Sequence, residues 1–313
     1  MQGEATTGAP AGSIVRSQAA TSRRPRDLAK WFFLLPGVIW LLLLTVFPLL
    51  YAINMSLHTY RFGKEGAFAG LANFQRLLTD PVLHDDLITT FIFVICSVFI
   101  EMLLGVGLAL LFNREMIGRG LLRTLATLPL FTTPVALGYL GITLFYEQGG
   151  PINSFITALG GPNIPWLSSP TGARAAIVLL DVWQWTPFVF LIFLSGLQGM
   201  SQDVTEASQV DGANGWQTIK NIVLPMMAPL LWLVFLLRTI EAFKVFDTVI
   251  TLTAGGPGRA TEVISRFTYL TMRKFSDYGY AAAQGFLLLL IVSILLSLLW
   301  GRIKHNYGAP TAR

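Results

Sequence analysis

Six stretches, roughly 31–53, 87–112, 120–146, 173–197, 227–252 and 279–301, are predominantly apolar over more than twenty residues each. A helix needs about 20 such residues to cross the hydrocarbon core of a bilayer. The chain is 53% hydrophobic and 12% charged over 313 residues, where a soluble domain carries about 25% charged residues. The expected fold is therefore an all-α polytopic membrane protein with six transmembrane helices. No span clearly repeats another, so nothing suggests the inverted halves of many secondary transporters.

Residues 1–27 hold Ala, Ser, Thr and Gly with several arginines and no periodicity, which predicts a disordered tail. A signal peptide fits less well, because the next apolar run exceeds an h-region and no small-residue cleavage site follows it. Residues 28–305 form the expected membrane domain, and 306–313 a second short tail. Six spans put both ends on one side. Placing the N-terminus inside gives the inner segments twelve of the 22 Lys and Arg, the outer segments eight, and leaves Arg238 and Lys244 within a span. Arg23, Arg24, Arg26 and Lys30 ahead of the first span and Arg114, Arg119 and Arg123 after the second decide for a cytoplasmic N-terminus. Arg259, Arg266, Arg273 and Lys274 are an exception on the outside. The outer segment GGPINSFITALGGPNIPWLSSP is rich in turn formers, which predicts an ordered loop rather than a separate domain.

Several function classes are disfavoured. The net charge of +5 is spread beside the spans and is not clustered as nucleic-acid binding requires. Cys96 is the single cysteine, so the chain can close no internal disulfide and build no thiolate metal cluster. His58, His84 and His305 are scattered, no metal site is expected, and no catalytic constellation supports a membrane enzyme. No G-x-x-x-x-G-K-[ST] loop is present, so the chain does not cradle ATP by that route.

The segment 203–225 is the longest polar-rich interruption late in the chain. Asp203 and Glu206, three apart, predict a capped helix start. Gly212 can supply the left-handed residue that ends this helix. Asn214 can cap a second helix, with Trp216, Ile219 and Ile222 on one face, and Pro225 and Pro229 mark the start of span five. A helix–turn–helix outside the bilayer follows. Lys220 is its only basic residue, so it does not read DNA. It either rests on the lipid surface or receives a partner.

EASQVDGANGWQTIKNIVLP resembles the EAA loop of binding-protein-dependent ABC importer permeases. Glu206, Ala207, Asp211, Gly212, Ala213, Ile222, Leu224 and Pro225 match that pattern, while Ser208 replaces a third small residue and Ile219 stands where Phe is usual. Phe68-Ala-Gly-Leu-Ala-Asn-Phe74, Leu252-Thr-Ala-Gly-Gly-Pro257 with Thr261, Tyr278-Gly-Tyr-Ala-Ala-Ala and the ending Trp300-Gly-Arg are similar to carbohydrate permeases, specifically the maltose-type first permease subunit. The resemblance implies a type I importer fold in the bacterial cytoplasmic membrane. It implies a second permease subunit, two ATP-binding subunits and an extracytoplasmic solute-binding protein, with ATP and Mg held by the partners and no cofactor in this chain. It also implies that Glu206, Ala207, Ser208, Asp211, Gly212, Ala213, Trp216, Ile219 and Pro225 meet the ATPase. A secondary transporter or channel subunit working without ATP is the alternative.

Polar groups inside spans are costly and point to function. Asp181 and Trp185, four apart in span four, share a face with Phe188 a turn below, and Gln184 adjoins them. Carboxylate, amide and aromatic faces suit a sugar, and the resemblance places a solute pocket on this span and the next. A structural role as a hydrogen-bond hub is the competing reading of Asp181. In span five Arg238, Glu241, Lys244 and Asp247 stand at three-residue steps, with Glu241 nearest mid-depth as the expected solute contact. Self-neutralisation of this row competes for Arg238 and Lys244. Glu101 in span two is read as buried alone, bonding another helix. The solute's identity is left open among sugars, polyols and glycerol phosphodiesters.

Overall fold

The computed structural model describes residues 26–61 and 66–307. Of the tails expected at 1–27 and 306–313, residues 1–25 and 308–313 lie outside the described residues, whereas Arg26 and Asp27 open the first helix and the last helix runs to Tyr307. The chain divides into two compact units, Met1–Tyr51 and Ala52–Arg313. The first carries most of α1 (Arg26–Ser56), an apolar helix with Pro36 and Pro48 inside it.

The second unit continues with α2 (Ala72–Thr79), α3 (Pro81–Phe112), α4 (Arg119–Thr127), α5 (Pro134–Leu144), α6 (Pro151–Ala158) and α7 (Pro170–Gln198). Then come α8 (Gln202–Val210), α9 (Gly215–Thr218), α10 (Leu224–Ala242), α11 (Asp247–Leu252), α12 (Ile264–Arg273) and α13 (Tyr278–Tyr307). Among the described residues five helices are long and apolar enough to cross a membrane, or six when one bent pair counts as a span.

That bent pair corrects the expectation of a continuous helix over 120–146. α4 runs through a 3-10 turn at Leu128–Phe131 and then bends by 101° into α5. Pro129 and Pro134 remove two backbone donors from this stretch, and a helix interior cannot absorb that without a kink. The break is repaired from outside the segment. Gln184 Nε2 donates to the freed Thr132 carbonyl at 2.6 Å, and the Thr133 hydroxyl accepts from Ala136 N at 3.4 Å to cap α5. Irregular backbone at membrane depth survives only where other groups satisfy it in this way.

The fifth span differs at both ends from 227–252. It starts within the polar segment 203–225, running from α9 through a π turn at Ile219–Val223 into α10 without interruption. The wide turn lies just ahead of Pro225, where an α-helix would be short of a donor, and Pro225 and Pro229 do not break the rod. The helix stops at Ala242. Phe243 is buried edge-on against Phe91 with ring centroids 5.2 Å apart, and the Val245 carbonyl accepts from the Ser265 hydroxyl. Lys244 therefore lies beyond the helix and Asp247 opens α11, so Arg238, Glu241, Lys244 and Asp247 are not one helical row.

α3 and α7 pack along much of their length, and α10 joins both. Gly105 makes the crossing close, since a Cβ there would stand 2.5 Å from Val189 Cβ; small residues admit such approach in membranes. Two apolar clusters lie along the packing of these helices. One gathers Phe93, Val98, Ile177, Leu180 and Phe243, the other Phe112, Phe190, Phe193, Val223 and Met227.

The 147–170 loop is ordered as expected. Asn153 donates to the Ile164 carbonyl at 2.9 Å and its Oδ1 accepts from Trp166 Nε1 at 3.1 Å. Glu147 accepts from the Ser168 and Leu167 amides at 2.7 and 2.8 Å. These bonds, with Ser168's foremost, hold the Glu147 carboxyl below the ordinary glutamate range. Elsewhere, Asp80 caps α3 and accepts from the Tyr280 hydroxyl at 2.7 Å, and Arg76 pairs with Asp277 at 2.8 Å.

Candidate functional site: an exposed elbow and a buried charge cluster

The elbow is α8, a turn and α9. Its first cap is Ser201 rather than Asp203: the Ser201 hydroxyl accepts from Asp203 N at 3.3 Å and donates to the Asp203 carboxylate at 3.1 Å. A short hydroxyl outside the helix reaches that amide better than an aspartate already within it. α8 ends at Gly212, whose φ of +82° is the left-handed geometry that glycine adopts freely. Ala213 N bonds the Ser208 carbonyl and Gly212 N the Gln209 carbonyl, each at 3.0 Å, completing a Schellman ending. Asn214 caps α9 as expected, through a reciprocal box with Gln217 at 2.9 and 2.8 Å. The sequence reading missed the Gln217 half, although its offset of three from Asn214 signals it.

Glu206, Ala207, Asp211, Gly212, Trp216 and Pro225 are exposed, and Ala213 and Ile219 are partly buried. Ser208 is different. It is buried, and its hydroxyl sits 3.0 Å from Thr218 Oγ1 and donates to the Thr205 carbonyl at 2.7 Å. Its side chain joins α8 to α9 and is turned away from any partner, which corrects its expected place on a docking surface. Trp216, Ile219 and Ile222 do not share a face either. The π turn changes the register from Ile219 onward, leaving Trp216 67% exposed while the two isoleucines are partly covered. Val210, missed in the sequence, is 89% exposed at the end of α8. An apolar residue beside Asp211 and Gly212 was the available signal.

The second region lies between the two apolar clusters of α3, α7 and α10. Arg238 Nε and Nη2 donate to Glu101 at 2.5 and 2.7 Å, and the same Nη2 reaches Asp181 at 3.1 Å. All three residues are buried. Glu101 is thus not alone, and Arg238 is neutralised from α3 and α7 rather than from its own helix. The guanidinium carbon also lies 4.6 Å over the Trp185 ring, which meets Phe188 edge-on at 6.0 Å. Buried ions need such compensation, because removal from water costs several kcal/mol per ion.

Of the expected pathway residues, the fold brings Asp181, Trp185 and Phe188 together on α7. Gln184 is buried and engaged with Thr132. Asp181 sits inside the helix packing, in agreement with the hub reading. Glu241 stands in the last turn of α10 rather than mid-span, paired with Lys244 at 2.6 Å, with side chains 45% and 56% exposed. The Trp185 and Phe188 side chains are half-buried, which leaves aromatic surface open beside the cluster. Among the described residues no group of three or more His, Cys, Asp or Glu could hold a metal ion.

The family described as binding-protein-dependent transport system inner membrane component matches residues 101–306. The chain is 36% identical over 266 residues to the trehalose/maltose transport system permease protein MalF of Thermococcus litoralis, covering 84% of this chain and 89% of that one. It is 34% identical over 295 residues to a probable ABC transporter permease protein, y4oQ, of Sinorhizobium fredii, covering 92% and 95%. With the trehalose transport system permease protein SugA of Mycobacterium tuberculosis identity is 30% over 310 residues, covering 96% and 97%. In fold it is similar to a chain of a bacterial ABC transporter that imports alginate, with a TM-score of 0.78 at 22% identity over 90% of this chain and 96% of that one.

Proposed function

Because the chain belongs to the family of binding-protein-dependent transport system inner membrane components, we propose that it moves a neutral sugar, of disaccharide size or near it, through a path walled in part by Trp185, Phe188 and Glu241. It is a multi-pass permease subunit of an ATP-driven sugar importer. Three relatives are named for disaccharides: trehalose/maltose, lactose and trehalose. The open aromatic surface at Trp185 and Phe188 suits the C–H faces of a sugar ring, and the self-neutralised Glu241–Lys244 pair offers hydrogen bonds without net charge. Asp181 and Gln184 support this wall from behind.

Energy enters at the elbow. Both ends lie in the cytoplasm in this reading, and Glu206, Ala207, Val210, Asp211, Gly212 and Trp216 form the surface that a separate ATPase subunit grips. The observation that carries this is the elbow's construction: a rigid, doubly capped turn with its apolar groups, Val210 and Trp216, outside rather than inside. A second permease, two ATPases and a solute-binding protein complete the assembly, and ATP and Mg belong to the ATPases. The elbow is continuous with α10, so displacement of the elbow moves Arg238 and Glu241 with it. An ATP-independent transporter would have no use for such a surface.

The test is reconstitution of the complex in liposomes with its binding protein and radiolabelled trehalose, maltose and lactose. ATP-dependent accumulation of at least one is expected. Accumulation of none, with ATP hydrolysis still stimulated by a binding protein loaded with another solute class, would reject the sugar assignment. Failure of an ATPase subunit to co-purify would reject the elbow's role.

A further inference from the structure

We propose that Glu101 is a positioning residue for transport: through Arg238 it fixes the plane on which the Trp185 ring lies, and so holds the aromatic wall of the path in place. This rests on the reading of Trp185 as part of that wall. Three observations carry it.

The first is geometry. Glu101 takes both Nε and Nη2 of Arg238, at 2.5 and 2.7 Å, and two parallel bonds to one carboxylate fix the plane of a guanidinium. Asp181 receives one longer bond from Nη2 and leaves rotation free. Glu101 is therefore the group that sets the guanidinium's orientation.

The second is what occupies the free face of that plane. A planar cation edge-bonded to carboxylates still presents its flat faces, and an aromatic ring is a favoured neighbour for one of them. Trp185 is the aromatic neighbour here, with the guanidinium carbon 4.6 Å over its ring. The ring is half-buried, so one part rests on the guanidinium while another stays accessible.

The third is connectivity. Glu101 is on α3, Trp185 on α7 and Arg238 on α10, and α10 is continuous with the elbow. The one side chain that touches both others belongs to the helix that the elbow moves. A displacement of α10 against α3 strains the Glu101 fork and the Trp185 stacking together, which links the wall of the path to the site where force enters.

The experiment uses the full complex in liposomes with the three labelled disaccharides and reads three quantities: complex recovered, binding-protein-stimulated ATP hydrolysis, and sugar moved per ATP. Arg238→Lys keeps the charge but loses the fork and the flat face. It should assemble, keep stimulated hydrolysis within about twofold, and lower sugar per ATP by about fivefold. Glu101→Gln should lower the same ratio. The swap Glu101→Arg with Arg238→Glu restores an ion pair between α3 and α10 while moving the guanidinium to the other helix. Recovery should return toward wild type with the ratio still low. A swap that restores both readouts makes the pair purely structural and overturns the proposal, as does a wild-type ratio in Arg238→Lys. If Glu101→Gln does not assemble, Arg238→Lys and the swap decide alone. Trp185→Ala separates the two readings. A lowered ratio there with an unchanged one in Arg238→Lys rejects only the positioning role, whereas an unchanged ratio in Trp185→Ala rejects the wall itself.

Discussion

The elbow and the Arg238 cluster are both organised by side-chain hydrogen bonds, yet the bonds span very different stretches of chain. The elbow's joins are local: Ser201 to Asp203, Asn214 to Gln217, and Ser208 to Thr218 ten residues on. The cluster's joins cross 137 and 57 residues and three helices. A locally bonded turn keeps its shape while its surroundings move, and its outward side chains are free to meet another protein. A long-range buried cluster exists only when the helices are already together. Substitutions in the first should damage coupling before stability, and removal of the Arg238 cation from the second should damage stability before coupling.

The largest effect should follow Arg238→Leu, which leaves Glu101 and Asp181 buried without a cation. Breaking a buried pair by removing one partner costs roughly 3–5 kcal/mol, so detergent-stable protein should fall sharply in size-exclusion profiles. Wild-type recovery would break the contrast at once. Next comes Gly212→Asp. A Cβ at Gly212 meets nothing within 4 Å, but the φ of +82° costs a non-glycine residue about 1–2 kcal/mol in local backbone strain. The membrane helices should melt as in wild type while binding-protein-stimulated ATP hydrolysis is abolished. Normal stimulation in this variant would remove the elbow from the coupling path.

Ser208→Ala should act more gently. It leaves Thr218 Oγ1 its bond to the Asn214 carbonyl at 3.2 Å and removes the link between α8 and α9. The loss should be about 1 kcal/mol, seen as faster amide exchange confined to 201–218; exchange that also rises in α3 or α7 would mean the elbow is not autonomous. The smallest effect concerns pH at the 147–168 loop, a third element bonded within its own segment. Glu147's carboxyl is depressed in the folded state, so its contribution is present above the ordinary glutamate range and is lost as pH falls through the lowered folded value. Acidification below the ordinary glutamate range should loosen 147–168 to proteolysis in wild type. Glu147→Gln should be looser at neutral pH and show no acid step.

The same distinction between local and distant bonding separates what the sequence disclosed from what it did not. Apolar length revealed the spans, and the spacing of Glu206, Gly212 and Asn214 revealed the elbow, because those signals act over a few residues. The bend at Thr132 was only half legible: Pro129 and Pro134 stand inside the apolar run, but the amide that satisfies the break comes from Gln184, 52 residues away. The stop of span five at Ala242 carries no glycine or proline and is set by Phe243 against Phe91. Glu101 could not be matched to Arg238 from periodicity, which carries no information across 137 residues. Ser208 was misplaced because its small size fits a docking surface as well as a buried joint, and only the position of Thr218 decides between them.

The π turn at Ile219–Val223 has a consequence for anyone who exchanges parts between importers. It holds one residue more than an α-helical register would, so the direction in which Trp216 and Gly212 face is fixed relative to α10 by that extra residue. A graft with its seam between Thr218 and Leu224 that gains or loses a residue would turn the transplanted elbow by about 100° about the α10 axis. The natural transplantable cassette therefore runs from Ser201 to Ala242, with its first seam at Met200–Ser201 between helices. Elbow and fifth span should be moved together or not at all.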